Sequence, residues 1–150
     1  MNDIEKTYIH LEDTYMDITK RYLKVDETTI ETALYQHTGV YAFFGAVLAY
    51  AKRELDRASN DRDREEATVR EARRAELVEE GKKATDRALD AYVKTVLSVQ
   101  GMEDRHEVCS HRYHLAKNII NSLDHQKDML IQISANKRAE TKLVGDFSGH

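Results

Sequence analysis

Apolar side chains recur along the chain at helical spacing. The first segment places Ile4, Tyr8, Leu11, Tyr15, Ile18 and Tyr22 at alternating steps of four and three residues, the seam of an amphipathic helix. Ile9, Met16 and Leu23 widen that stripe. The spacing predicts one helix over about residues 3–23, ending near Lys24-Val25-Asp26. Thr28 followed by Glu31 reads as a capping box that opens a short helix running to about His37. Gly39 then marks a break or kink.

From Val40 to Glu80 nothing stops a helix: the chain has no proline, no glycine follows Gly45 until Gly81, and Ala, Arg and Glu are plentiful. Forty residues of helix extend about 60 Å. The first half is apolar (Val40, Phe43, Phe44, Val47, Leu48, Ala51, Leu55). The stretch from Ser59 to Thr68 is polar all round, and Val69, Ala72 and Leu77 resume a thin stripe. Gly81 stands where a helix-terminating glycine is expected. A short helix is predicted from Thr85 to about Thr95, a boundary at Ser98 and Gly101, and a second long helix from Met102 to about Lys142. Cys109, Ala116, Ile119, Leu123, Leu130 and Ile133 supply its stripe. Folded back antiparallel, the apolar start of the first long helix meets the apolar end of the second, and the two independent patterns agree. The expectation is therefore an all-α, coiled-coil-like antiparallel hairpin over about residues 28–142, with short N-terminal and tip helices. It forms a single helical domain over 1–144 with a flexible tail at 145–150.

Composition adds a constraint on assembly. Charged residues make up 33% of the chain and aromatics 7%. A two-layer hairpin of this size buries little surface, so a homo-oligomer is expected, with the N-terminal seam and the Phe43/Phe44 region as packing surfaces. No apolar run reaches the length of a membrane span. The start of the chain lacks the basic-then-apolar order of a secretory signal, and the single cysteine, Cys109, forms no internal disulfide. These features lead to the expectation of a reducing cytoplasm.

The net charge of −4 argues against a generic polyanion binder. The excess acid lies in residues 1–51, with 8 acidic and 4 basic side chains, whereas residues 52–94 carry 12 of each. His106, His111 and His114 flank Cys109, but at about 100° per residue the four fan around a helix instead of converging on one ion. No metal and no cofactor are expected. Adjacent acids such as Glu65-Glu66 and Glu79-Glu80 point apart on a helix. The chain also has no phosphate-cradling glycine loop, nucleophile elbow or HExxH motif, so it is not expected to be an enzyme. Tyr35 and Tyr41 are candidate base-stacking platforms if exposed. Arg70, Arg73, Arg74, Lys82 and Lys83 gather near the hairpin tip, interleaved with Glu71, Glu76, Glu79, Glu80 and Asp86. Two readings stay open for them: ion pairing along a solvated helix, or a weak phosphate-binding path that an oligomer repeats.

The order and lengths of these segments resemble the UvsY-like recombination mediators of tailed phages. The resemblance covers about residues 22–142. It runs through the entry KVDETTIETAL, the long helix with the basic run Val69-Arg70-Glu71-Ala72-Arg73-Arg74, and Gly81. It continues through the short helix KKATDRALDAYV and the long C-terminal helix ending HQKDMLIQISANKRAE. Proteins of that family are small, all-α and oligomeric. They bind single-stranded DNA and help load the phage recombinase onto strands coated by the single-strand-binding protein. The resemblance implies nucleic-acid contact at Arg70, Arg73, Arg74, Lys82 and Lys83. It implies recombinase and single-strand-binding protein as partners, in the host-cell cytoplasm if the chain is phage-encoded. The alternative from the residues alone is a structural coiled coil, a virion or scaffold component without DNA affinity.

Overall fold

The computed structural model describes residues 1–23 and 30–147, and all regular structure among them is α-helical. The order is α1 (Asp3–Ile9), α2 (Leu11–Tyr22), α3 (Ile30–Glu79), α4 (Asp86–Val93) and α5 (Leu97–Phe147). The two long helices, joined through a short one, are those the apolar pattern predicts. Among the described residues no helix is long and apolar enough to cross a membrane.

Several boundaries differ from the sequence-based expectation. The N-terminal helix divides at His10, whose φ of −97° and ψ of 13° leave the helical region. The seam nevertheless continues across the division, with Tyr8 and Leu11 both buried. Neither Gly39 nor Gly101 breaks its helix: α3 and α5 run straight through them. Glycine weakens a helix interior by about 1 kcal/mol, too little to end helices of 50 and 51 residues. Helix α5 also extends to Phe147, into the expected tail. Thr28 of the expected capping box, the expected helix end at Lys24 to Asp26, and residues 148–150 lie outside the described residues.

The chain divides into two compact units, one comprising residues 1–50 and 114–150, the other residues 51–113. In the first, α1 and α2 share a core with the first part of α3 and the last part of α5. Asn2 starts α1 with a capping box: its side chain accepts from the Glu5 N–H at 2.9 Å, and the Glu5 carboxylate accepts from the Asn2 N–H at 3.1 Å. Leu11, Phe44, Val47, Ile119, Leu123 and Leu130 are buried in this unit. Tyr8 meets Tyr50 edge-on at 5.2 Å and Tyr22 meets Phe44 at 5.8 Å. Two buried polar side chains fix the register. His37 Nε2 donates to the Leu123 carbonyl at 2.8 Å, and Gln126 Nε2 donates to the Tyr22 carbonyl at 2.7 Å.

In the second unit the end of α3 and the start of α5 run antiparallel. Lys52 Nζ sits 6.0 Å over the Tyr113 ring, and Arg105 donates to Asp61 at 3.0 Å. The core here is thin: Ala51, Ala58, Leu77, Leu89, Val93, Val99 and Cys109. Gly81 closes α3 with a φ of 67°. The Lys82 N–H donates to the Leu77 carbonyl at 2.8 Å and the Gly81 N–H to the Val78 carbonyl at 3.0 Å, which satisfies two end-of-helix acceptors as a Schellman motif does. Thr85 then caps α4, its hydroxyl accepting from the Ala88 N–H at 3.4 Å. Leu89 and Val93 turn the apolar side of α4 inward.

Candidate nucleic-acid interface

The five basic residues singled out in the sequence lie in the second unit, on the last turns of α3 and in the turn that follows. Helical spacing of three and four places Arg70, Arg73 and Arg74 on one side of α3. That side faces α4. Arg70 pairs with the Asp90 carboxylate, and Arg74 Nη2 lies 3.5 Å from Asp86 Oδ1. Arg73 Nη1 donates to Glu76 Oε2 at 2.8 Å, while its guanidinium carbon stands 4.9 Å from the centre of the Tyr92 ring. Lys82 Nζ donates to Glu80 Oε2 at 2.7 Å. Lys83 is exposed, in the turn beside it.

The electrostatics follow from these pairs. The hydrogen bond to Glu76 pushes the Arg73 pKa up, and a guanidinium is charged at neutral pH with or without it. The Lys82 hydrogen bond holds the Glu80 carboxyl below the usual carboxylate range. All of these partners are solvated, and exposed ion pairs contribute only about 0–1 kcal/mol each. A phosphate oxygen offers a guanidinium the same planar, charge-assisted contact as a carboxylate. The arrangement is a set of guanidinium groups pre-positioned by weak, exchangeable acidic partners, beside an aromatic ring that is 38% exposed.

Ion pairing along a single helix describes only part of this. Arg73 pairs within α3, but Arg70 and Arg74 reach across to α4. Sequence reasoning missed Asp90 and Tyr92 as members of the cluster. The signal was present in KKATDRALDAYV: Asp86 and Asp90 are four apart, with Leu89 and Val93 fixing which face is buried.

The other candidates are dispersed. Tyr8, Leu11 and Phe44 are buried and Ile4, Tyr15, Ile18 and Tyr22 are half-buried within the first unit, so the N-terminal seam is partly covered by its own chain. Phe43 lies at the surface, where it lines an open groove of about 480 Å³ with Lys6, His10, Ile18 and Arg21. Tyr35 is 87% exposed, whereas Tyr41 is half-buried, stacked on His37 and within 3.5 Å of Asp124. On α5, Cys109 is buried, His106 half-buried, and His111 and His114 exposed. No group of three metal-ligating side chains occurs among the described residues. Comparison of the chain with protein-family models, with curated proteins and with solved structures returns no match.

Proposed function

We propose that the chain is a non-enzymatic, oligomeric binder of single-stranded DNA that helps load a recombinase onto strands coated by a single-strand-binding protein. The role of mediator and both protein partners come from the resemblance over residues 22–142. The observation that carries the DNA contact is the cluster of Arg70, Arg73 and Arg74 on one side of α3, with Tyr92 beneath Arg73 and Lys82 and Lys83 in the adjoining turn. Guanidinium groups supply sequence-independent phosphate contacts, and an exposed ring beside them supports stacking of an unpaired base. One copy offers few such contacts. A homo-oligomer repeats them along a single strand, and the effective concentration of each next contact raises the whole affinity.

Fluorescence anisotropy of a labelled single strand across a salt series tests this. The wild type is expected to bind at low salt with an affinity that falls steeply as salt rises. The double variant Arg73→Ala/Arg74→Ala is expected to bind all sequences more weakly, with the log–log slope shallower by about 0.7 for each phosphate no longer neutralised. Light scattering is expected to give a multiple of 17.3 kDa. Unchanged binding by the folded double variant removes these residues from the interface, and a mass of one chain across micromolar concentrations refutes the oligomer.

One observation favours a second reading, a helical scaffold or adaptor without DNA affinity. Arg70, Arg73, Arg74 and Lys82 each already have a carboxylate partner. On that reading the wild type does not bind the strand even at low salt, and the arginine changes cost a few tenths of a kcal/mol in stability and nothing else.

A further inference from the structure

Three side chains on one side of α3 reach three positions of α4: Arg70 to Asp90, Arg74 to Asp86, and Arg73 to the Tyr92 ring. The basic cluster is thus also the polar clasp between these two helices. We propose that Asp86 and Asp90 of α4 occupy the phosphate positions of the interface, so that α4 competes with the nucleic-acid strand for Arg70 and Arg74 and sets its affinity. This inference rests on the single-stranded-DNA reading above and gives that site its internal regulator.

The geometry suits exchange in three respects. Both carboxylates are solvated, at 82% side-chain exposure for Asp86 and 52% for Asp90, so water and competing anions reach them directly. Helix α4 does not depend on them to stay in place, because Leu89 and Val93 are buried at 0% and 5% exposure. The Arg73 guanidinium contacts Tyr92 through the ring face, an attraction that needs no carboxylate. A strand can therefore replace both acids at the arginines while the apolar side of α4 remains docked. A chain with net charge −4 gains discrimination from such a device. A single mobile anion does not outcompete two tethered carboxylates, whereas a continuous run of phosphates presented to a repeated cluster does.

The test compares forms of the full chain by anisotropy with a labelled oligothymidylate at fixed low salt. They are the wild type, Asp86→Asn/Asp90→Asn, a charge-matched control Glu103→Gln/Asp104→Asn, the first double variant carrying Arg70→Ala/Arg74→Ala as well, and Asp90→Asn alone. Glu103 and Asp104 are exposed in the same unit and lie outside the clasp. The clasp variant is expected to bind about fivefold or more tighter than the control, the order of magnitude for releasing two exposed pairs. That gain is expected to vanish when Arg70 and Arg74 are alanine, as coupling between these positions requires. Asp90→Asn alone leaves the first turn of α4 intact. It is expected to keep part of the gain, which separates competition from any loosening of the helix start. Binding by the clasp variant where the wild type shows none also supports the proposal. Equal affinity for clasp variant and control, with the wild type binding, overturns the clasp and leaves the DNA reading standing. No binding by the wild type or the clasp variant overturns both.

Discussion

Replacing Leu11 with alanine tests whether the N-terminal seam is satisfied within one chain. Leu11 has 0% exposure, in a unit whose core also holds Tyr8 and Phe44. Removing a buried leucine loses its transfer free energy and leaves a cavity, together about 2–5 kcal/mol. For a chain of this size urea slopes run about 1–3 kcal/mol per molar, so the midpoint followed by far-ultraviolet circular dichroism is expected to fall by roughly 1–3 M. Met16 lies on the same amphipathic segment but is 60% exposed, and Met16→Ala is expected to stay within about 0.5 kcal/mol of wild type. The decisive variable is protein concentration. A side chain buried by its own chain gives a loss that is equal at low and high micromolar protein. A side chain buried by a second copy gives a loss that grows on dilution, because association then belongs to the stability. A concentration-dependent loss, or a loss no larger than that of Met16→Ala, refutes the placement of the seam.

Two glycines are expected to respond with opposite signs. Gly81→Ala forces a side chain into a left-handed conformation at φ 67°, at a cost of about 1–2 kcal/mol. Gly101→Ala lies within α5 with no atom within 4 Å of the added methyl and is expected to stabilise by about 0.5–1 kcal/mol; thermal midpoints that move in the same direction contradict the assignment. Glu80 is expected to titrate below the usual carboxylate range because Lys82 hydrogen-bonds its ionised form. A depressed folded pKa means that the contribution is complete above the unfolded value and is lost as pH falls through the folded midpoint. A carbon-13 titration of the Glu80 carboxyl reads this midpoint, and Lys82→Ala is expected to return it upward; an unmoved midpoint removes the hydrogen bond.

The long helices were legible because their signals are long and redundant. Forty residues without proline, with apolar positions recurring at three and four, overwhelm any local ambiguity. The same strength explains why Gly39 and Gly101 were misleading as punctuation. A lone glycine lowers helix stability by about 1 kcal/mol, but it ends a helix only where the chain needs a positive φ, as at Gly81. The division at His10 left no mark in the pattern because one displaced residue does not shift the phase of the seam. The candidate site was half legible. Arg70, Arg73 and Arg74 share a side of α3 by spacing alone, but the identity of what faces them depends on how α4 docks. That docking is set by two apolar side chains, Leu89 and Val93, in an eight-residue helix, too short for periodicity to orient without the partner surface.

The thin core of the second unit bears directly on its chemistry. Alanines at 51 and 58 are fully or almost fully buried, and small residues at this spacing let the facing helix approach closely while burying little apolar area. At about 25 cal/mol per Å², these alanines leave the segment from Ser59 to Thr68 weakly held by burial, whereas Leu89 and Val93 anchor α4. Weak polar contacts cross the surface of the same unit. Arg105 to Asp61, Arg70 to Asp90 and Arg74 to Asp86 are all of this kind. Salt and polyanions weaken such contacts, whereas Leu89 and Val93 are indifferent to both. The unit thus separates its two requirements onto different residues. Apolar anchors keep α4 attached, and on the proposed reading the exchangeable ion pairs set which anion the arginines of α3 hold.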